Sequence, residues 1–358
     1  MKVLAITNMY PSPGAPVSGV FVEEQIKGLL SIGLQVRVVF IDRRREGAMA
    51  YYRMAPAVRV ALKEFDPDLV HVMYGGVMAD QITRWKSMPP VVVTFHGSDL
   101  LGENLSGLVR KLISHYGVYC SRRAAQRAAG IIVAARHLLR ALPFGSPDGR
   151  GIKGEGSIQL STLNSQPSTN KVRVIPCGID LARFKPMDQS FCRQRLGWQP
   201  DSFHVLFATG ANDPVKRPWL ARAAVELMTS EGVRATLHVL SGVPNSEVPV
   251  WINASDALLL TSLHEGSPTI VKEALACGVP IVSVDVGDVA ERVEGIEGCY
   301  LAKPEPADLA LKLRHVYQRR HRLDCATRLE QLSHLTVAHQ LKDFYQDILA
   351  RAADAQPM

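Results

Sequence analysis

The chain has 358 residues, of which 47% are hydrophobic, with 41 Lys and Arg against 34 Asp and Glu. That apolar share supports two domains of ordinary size and excludes a disordered polyelectrolyte. The net charge of +7 is uneven: residues 1–187 carry 24 basic and 13 acidic side chains, residues 188–358 carry 17 and 21.

The N-terminal apolar run, residues 1–6, is too short for a signal peptide. Nowhere does an apolar stretch reach the roughly 20 residues that cross a bilayer. The six cysteines include no Cys-x-x-Cys pair, so they are expected to be reduced thiols of a cytoplasmic protein. Nucleic-acid binding is suggested by net charge alone, since no recognition motif accompanies it. No metal-ligand cluster is visible either.

In chain order, residues 3–7, 36–40, 69–72, 91–95 and 131–134 read as short buried strands with amphipathic helical segments between most of them. A polar stretch, 144–170, holds Gly-Ser-Pro-Asp-Gly-Arg-Gly and reads as a loop or insertion. The rhythm then restarts at 172–175, 205–208, 237–240, 258–261 and 281–284, and ends in helical patterns. This β-α alternation predicts two doubly wound α/β domains facing a cleft, with ligands at the carboxyl ends of the strands.

Three segments follow strands and carry chemistry. Gly19 stands before a Glu/Gln-rich helix, where glycine lets backbone N–H groups approach a phosphate. His96, followed by Gly97, ends the fourth strand, where imidazole can meet a substrate hydroxyl or phosphate. The third runs His264-Glu265-Gly266-Ser267-Pro268-Thr269-Ile270-Val271-Lys272-Glu273. Pro268 suits a first helical turn, whose free N–H groups attract an anion. Two acceptor-only carboxylates, Glu265 and Glu273, suit the reading of sugar hydroxyl pairs.

At Glu265 and Glu273, with seven residues between them and Gly287 beyond, and at Pro176-Cys177-Gly178-Ile179-Asp180, the sequence resembles the retaining GT-B glycosyltransferases of glycosyltransferase family 4. The wording from His264 to Pro280 is most similar to bacterial enzymes of cell-surface polysaccharide synthesis. The resemblance implies a GT-B fold: an acceptor domain, residues 1–170 plus a C-terminal helix of about 337–358, and a donor domain, 171–336.

It also implies roles. Glu273 would bind the donor's ribose and Glu265 its sugar. Gly19 and amides near Gly266, Ser267, Pro268, Thr269 and Ile270 would hold the diphosphate with Lys216, and Arg217 would stand in for an arginine that many relatives have at the place of Asn212. His96 would contact the sugar near the reacting centre. No cofactor or metal is implied; the nucleotide-sugar is a substrate, and the acceptor is expected to be a lipid-linked or glycan one. The family commonly fits another strand and helix into 241–255, which is short here.

The positive excess belongs to the acceptor half. Arg110, Lys111, Arg122, Arg123 and Arg127, interleaved with Leu108, Leu112 and Tyr116, read as a basic amphipathic face for an anionic membrane. The protein is therefore expected in the cytoplasm, at the inner face of the cell membrane. An alternative is a catalytically weak sugar-nucleotide-binding component of a polysaccharide assembly complex.

Overall fold

The ten expected strands form, and one more follows them, in the computed structural model, which describes residues 1–102, 107–144, 171–209 and 213–354. The first sheet contains β1 (Lys2–Thr7), β2 (Gln35–Phe40), β3 (Leu69–Val72), β4 (Val91–Phe95), β5 (Gly130–Val133) and β6 (Val172–Val174), in the order β2-β1-β3-β4-β5-β6. The second contains β7 (Phe203–Ala208), β8 (Ala235–Leu240), β9 (Ala257–Leu260), β10 (Ile281–Val284) and β11 (Tyr300–Ala302), in the order β11-β10-β9-β7-β8. Every pairing is parallel. Strands such as Val-Val-Val-Thr-Phe and Ala-Leu-Leu-Leu are buried at every position, as parallel strands covered on both faces must be.

The chain divides into two compact units. The first comprises residues 1–9, 29–176 and 338–358, the second 10–28 and 177–337. Two boundaries expected from the sequence are corrected. Residues 172–174 do not open the second unit: Val172, Arg173 and Val174 pair with Ile131, Ile132 and Val133, so β6 extends the first sheet. Residues 10–28 group with the second unit, where Glu24 of the helix Val20–Ser31 lies 3.6 Å from both Arg183 and His334.

The C-terminal helix His334–Asp354 returns to the first unit from Ala338 onward. Its Tyr345 hydroxyl lies 2.7 Å from Nδ1 of His71 in β3, whose Nε2 lies 2.6 Å from Thr94 Oγ1 in β4. Burial lowers the His71 pKa to about 3 and keeps the ring neutral. A Cβ on Gly130 would sit 2.8 Å from Ile348, so glycine there admits the helix. In the second unit, the short 241–255 connection holds one helix, Val248–Ala254, and no added strand. Residues 145–170 of the expected insertion, and Asn212, lie outside the described residues.

Candidate active site

In the second sheet the order reverses at β7, which pairs with β8 on one side and β9 on the other, and a doubly wound sheet offers its ligand crevice where such a reversal occurs. After β7, the Asp213 carboxylate accepts from the Val215 amide at 3.0 Å and caps a short turn, Pro214–Lys216. Arg217 then adopts φ +49, a left-handed conformation uncommon for a residue with a side chain. Its guanidinium donates to the carbonyls of Thr261 (2.5 Å) and Ser262 (3.2 Å) just beyond β9. Thr261 Oγ1 donates back to the Lys216 carbonyl at 2.7 Å, and the Leu263 amide to Val215 at 2.8 Å. Arg217 is thus occupied as a brace between the two loops.

That brace brings Lys216 onto Glu265, with Nζ paired to Oε1. Ser262 Oγ donates to the same oxygen at 2.7 Å. Among the described residues, Glu265 Oε2 has no hydrogen-bond partner. Gly266 and Ser267 lead into the helix Thr269–Ala276, entered through Pro268. Gly287 lets a second loop approach: it has φ +64, and a Cβ there would stand 2.8 Å from the Gly266 carbonyl. Gly19, at φ +68, accepts from the amides of Val22 and Glu23 as its helix begins.

Glu273 lies on the helix beyond this loop. Burial raises its pKa to about 7, reinforced by Glu24 and opposed by Lys272 and Arg183. Glu24, Asp180 and His334 bring potential ligand atoms within 4.8 Å of one another. Arg183 already lies against both acids, 3.6 Å from Glu24 and 3.9 Å from Asp180, so a guanidinium supplies positive charge there.

His96 belongs to the first unit. The buried Asp99 carboxylate accepts from the backbone N–H groups of Gly75 (3.0 Å), His96 (3.0 Å) and Gly97 (2.9 Å), fixing the turn after β4. The imidazole Nε2 lies 3.1 Å from the Met73 carbonyl, which can only accept, so Nε2 carries the proton. The ring stacks on Tyr74, with 6.1 Å between centroids and 13° between planes, and the Tyr74 hydroxyl lies 2.8 Å from Ser98 Oγ.

The Glycosyltransferase Family 4 model matches residues 15–144, and the model described as Glycosyl transferases group 1 matches 194–319. A putative teichuronic acid biosynthesis glycosyltransferase, TuaC, of Bacillus subtilis (strain 168) is 27% identical, with 86% of each chain covered. The chain belongs to glycosyltransferase family 4. D-inositol 3-phosphate glycosyltransferase 2 of Catenulispora acidiphila is 28% identical, but the match spans only 43% of this chain and 44% of that protein. In fold, this family 4 glycosyltransferase is similar to sucrose-phosphate synthase of Thermosynechococcus elongatus (TM-score 0.73, 16% identity, 98% of this chain and 100% of that one). It is also similar to Anabaena Alr3699/HepE solved in complex with UDP (TM-score 0.65, 17% identity, 97% and 100%). Both are likenesses of fold, and they make this a two-domain Rossmann-like GT-B protein.

The basic helix of this family 4 glycosyltransferase is Leu108–Arg127, which contains five Arg and Lys and no acid. The structure divides its cations. Arg127 pairs with the buried Asp80 at 2.7 Å, Arg123 approaches the same carboxylate at 3.7 Å, and Arg84 pairs with its other oxygen. Arg123 and Arg127 thereby hold the helix to Gly76–Ile82. Of the five cations expected on the basic face, Arg123 and Arg127 are engaged with Asp80, whereas Arg110, Lys111 and Arg122 have no ion-pair partner among the described residues. Beside them Leu108, Val109, Leu112, Ile113, Tyr116 and Tyr119 are all more than half exposed.

Sequence reasoning gave no role to Tyr74, Ser262, Lys272 or His334. Tyr74 and His334 carry no local motif. Lys272 lies inside the Glu265 segment and Ser262 just before it, and only the fold reveals that they face its residues.

Proposed function

We propose that this family 4 glycosyltransferase moves a sugar from a nucleotide-sugar donor to a lipid-linked glycan acceptor in the synthesis of a bacterial surface polysaccharide, retaining the anomeric configuration and using neither metal nor cofactor. The observation that carries the reading is the Lys216–Glu265 pair at the reversal point of the second sheet, beside the mouth of a helix. Leaving diphosphate needs fixed positive charge, which Lys216 and the amides of Ser267, Thr269 and Ile270 supply without reorganising during the reaction. Glu265 Oε2 is open to the sugar's hydroxyls, and Glu273 takes the ribose. Gly19 lines the phosphate side, and Arg217 keeps Lys216 in place. The kinship with a protein named for teichuronic acid biosynthesis favours a surface-polysaccharide product.

In this reading the acceptor hydroxyl attacks the anomeric carbon on the face that the diphosphate vacates. A bond forms from the acceptor oxygen to that carbon, the bond to the phosphate oxygen breaks, and the acceptor proton passes to a phosphate oxygen. His96, held by Met73 and Tyr74, contacts the sugar.

The first unit meets the inner face of the cell membrane through Leu108–Arg127. Exposed apolar patches of this kind serve as interaction surfaces, and Arg110, Lys111 and Arg122 suit anionic headgroups.

Thermal shift against UDP-, GDP-, ADP- and CDP-sugars tests the donor, because a ligand of the folded state raises the unfolding temperature. One sugar nucleotide is expected to stabilise the chain; the absence of any shift would sink the reading. NMR of the transferred linkage tests retention, and full activity in a chelator tests independence from metal.

A further inference from the structure

Lys272 is completely buried, on the helix that begins beside Glu265. Its ammonium makes no ion pair within 4 Å among the described residues. Nζ instead donates to the Cys177 carbonyl (2.8 Å) and to Ser267 Oγ (3.1 Å). The Ser267 hydroxyl in turn donates to Asp288 Oδ2 at 2.7 Å, and Arg292 Nε donates to the same oxygen at 2.9 Å. The chain of contacts thus runs from the first residue of the second unit's main segment, through Lys272 and Ser267, to the acid after β10. A buried, unpaired cation is expensive, and a methionine would fill the same space without that cost. Desolvation accordingly pushes the Lys272 pKa down, while Asp288 and Cys177 push it up.

We infer that Lys272 is a positioning residue for the donor's diphosphate, holding Ser267 in place and setting a fixed positive charge behind the turn at Gly266, Ser267 and Pro268. Its effect is on the phosphates and not on the nucleoside. The two bonds fix the direction of the Ser267 side chain and so the course of the backbone whose amides enter the helix. The charge acts through protein, where it is screened far less than in water. The inference rests on the reading of this loop as the donor site.

The test uses the full chain. The tightest binder among UDP, GDP and ADP is chosen with the wild type, and its affinity is compared with that of the matching nucleoside. In Lys272→Met, the Kd for the diphosphate and the KM for the sugar nucleotide are expected to rise tenfold or more, while the Kd for the nucleoside changes less than twofold. Ser267→Ala is expected to show a smaller effect of the same kind, and it keeps the test open should Lys272→Met fail to fold. Lys272→Arg, which retains the charge, is expected to recover part of the loss. Equal weakening of nucleoside and diphosphate in a folded variant, or unchanged affinity in Ser267→Ala, overturns the inference while leaving the donor site standing. A wild type that binds none of the three diphosphates overturns the donor reading and the inference with it.

Discussion

The ammonium of Lys216 rests on Oε1 of Glu265, 49 residues along the chain, and Ser262 completes the coordination of that one oxygen. In the proposed function this pair meets the leaving diphosphate, with Glu265 Oε2 beside it for the sugar. In Lys216→Ala, kcat is expected to fall about 100-fold or more, the scale seen when a preorganised transition-state donor is removed. The unfolding temperature should move little, because Arg217 still ties the two loops through Thr261 and Ser262. A fall in kcat below about fivefold, with the donor saturating, would show that Lys216 does not meet the leaving group.

Glu273 gives two pH dependences of opposite sign. Its folded pKa, about 7, lies above the ordinary value of 4.5. Between those values the unfolded chain releases this proton and the folded chain keeps it, so the Glu273 contribution to stability falls as pH rises from about 4.5 to 7. The loss amounts to up to about 3 kcal/mol, less what solvent screening removes. The ionised carboxylate is the better acceptor for ribose hydroxyls, so donor affinity should strengthen as pH rises through 7. Glu273→Gln is expected to flatten both profiles, read by denaturant melts and nucleotide titrations from pH 5 to 8. A wild-type affinity that is level across that range would contradict the assignment.

The strands were legible because parallel strands covered on both faces read as unbroken apolar runs, as Val91–Phe95 does. Tyr300–Ala302 escaped because it is three residues long and only one of them is buried. The second segment's first run, by contrast, was visible as a strand but not as the neighbour of β5, since register is chosen by distant residues. At the site, Glu265 and Glu273 stood out through the segment around them and Lys216 through resemblance, but that Lys216 rests on Glu265 had no local signal. Arg217 looked like a phosphate ligand because a sequence displays its charge and not the two carbonyls that occupy it. Lys272 drew no role from the sequence for a similar reason: only the packed fold removes its water.

The division of the basic helix separates two kinds of arginine. Arg127→Ala leaves the buried Asp80 with less compensation and is expected to cost about 1–3 kcal/mol of stability, with Arg84 retained. Arg122→Ala should cost under about 0.5 kcal/mol, as exposed substitutions usually do. Vesicle sedimentation should invert the order: Arg122→Ala and Leu112→Glu reduce binding to anionic vesicles, Leu112→Glu more strongly because it also places a charge in the apolar face. Equal retention of wild type and Leu112→Glu would remove this helix from any membrane contact.

Tyr345 and His71 join the C-terminal helix to the third strand of the first sheet through a buried hydrogen bond that continues to Thr94. Tyr345→Phe preserves the ring and its packing but leaves His71 Nδ1 without that partner, a loss expected to cost about 1–3 kcal/mol. The low His71 pKa of about 3 also fixes a direction with pH. Below about 6.5 the unfolded chain takes up a proton on this ring and the folded chain does not, so the associated stability is present at neutral pH and is lost as pH falls toward 3. His71→Gln removes the titrating group and should flatten that acid limb, even though it lowers stability at pH 7. Urea melts at pH 7 and pH 5 measure both quantities. The same slope between those two pH values in wild type and His71→Gln would mean that the ring already titrates normally in the folded chain.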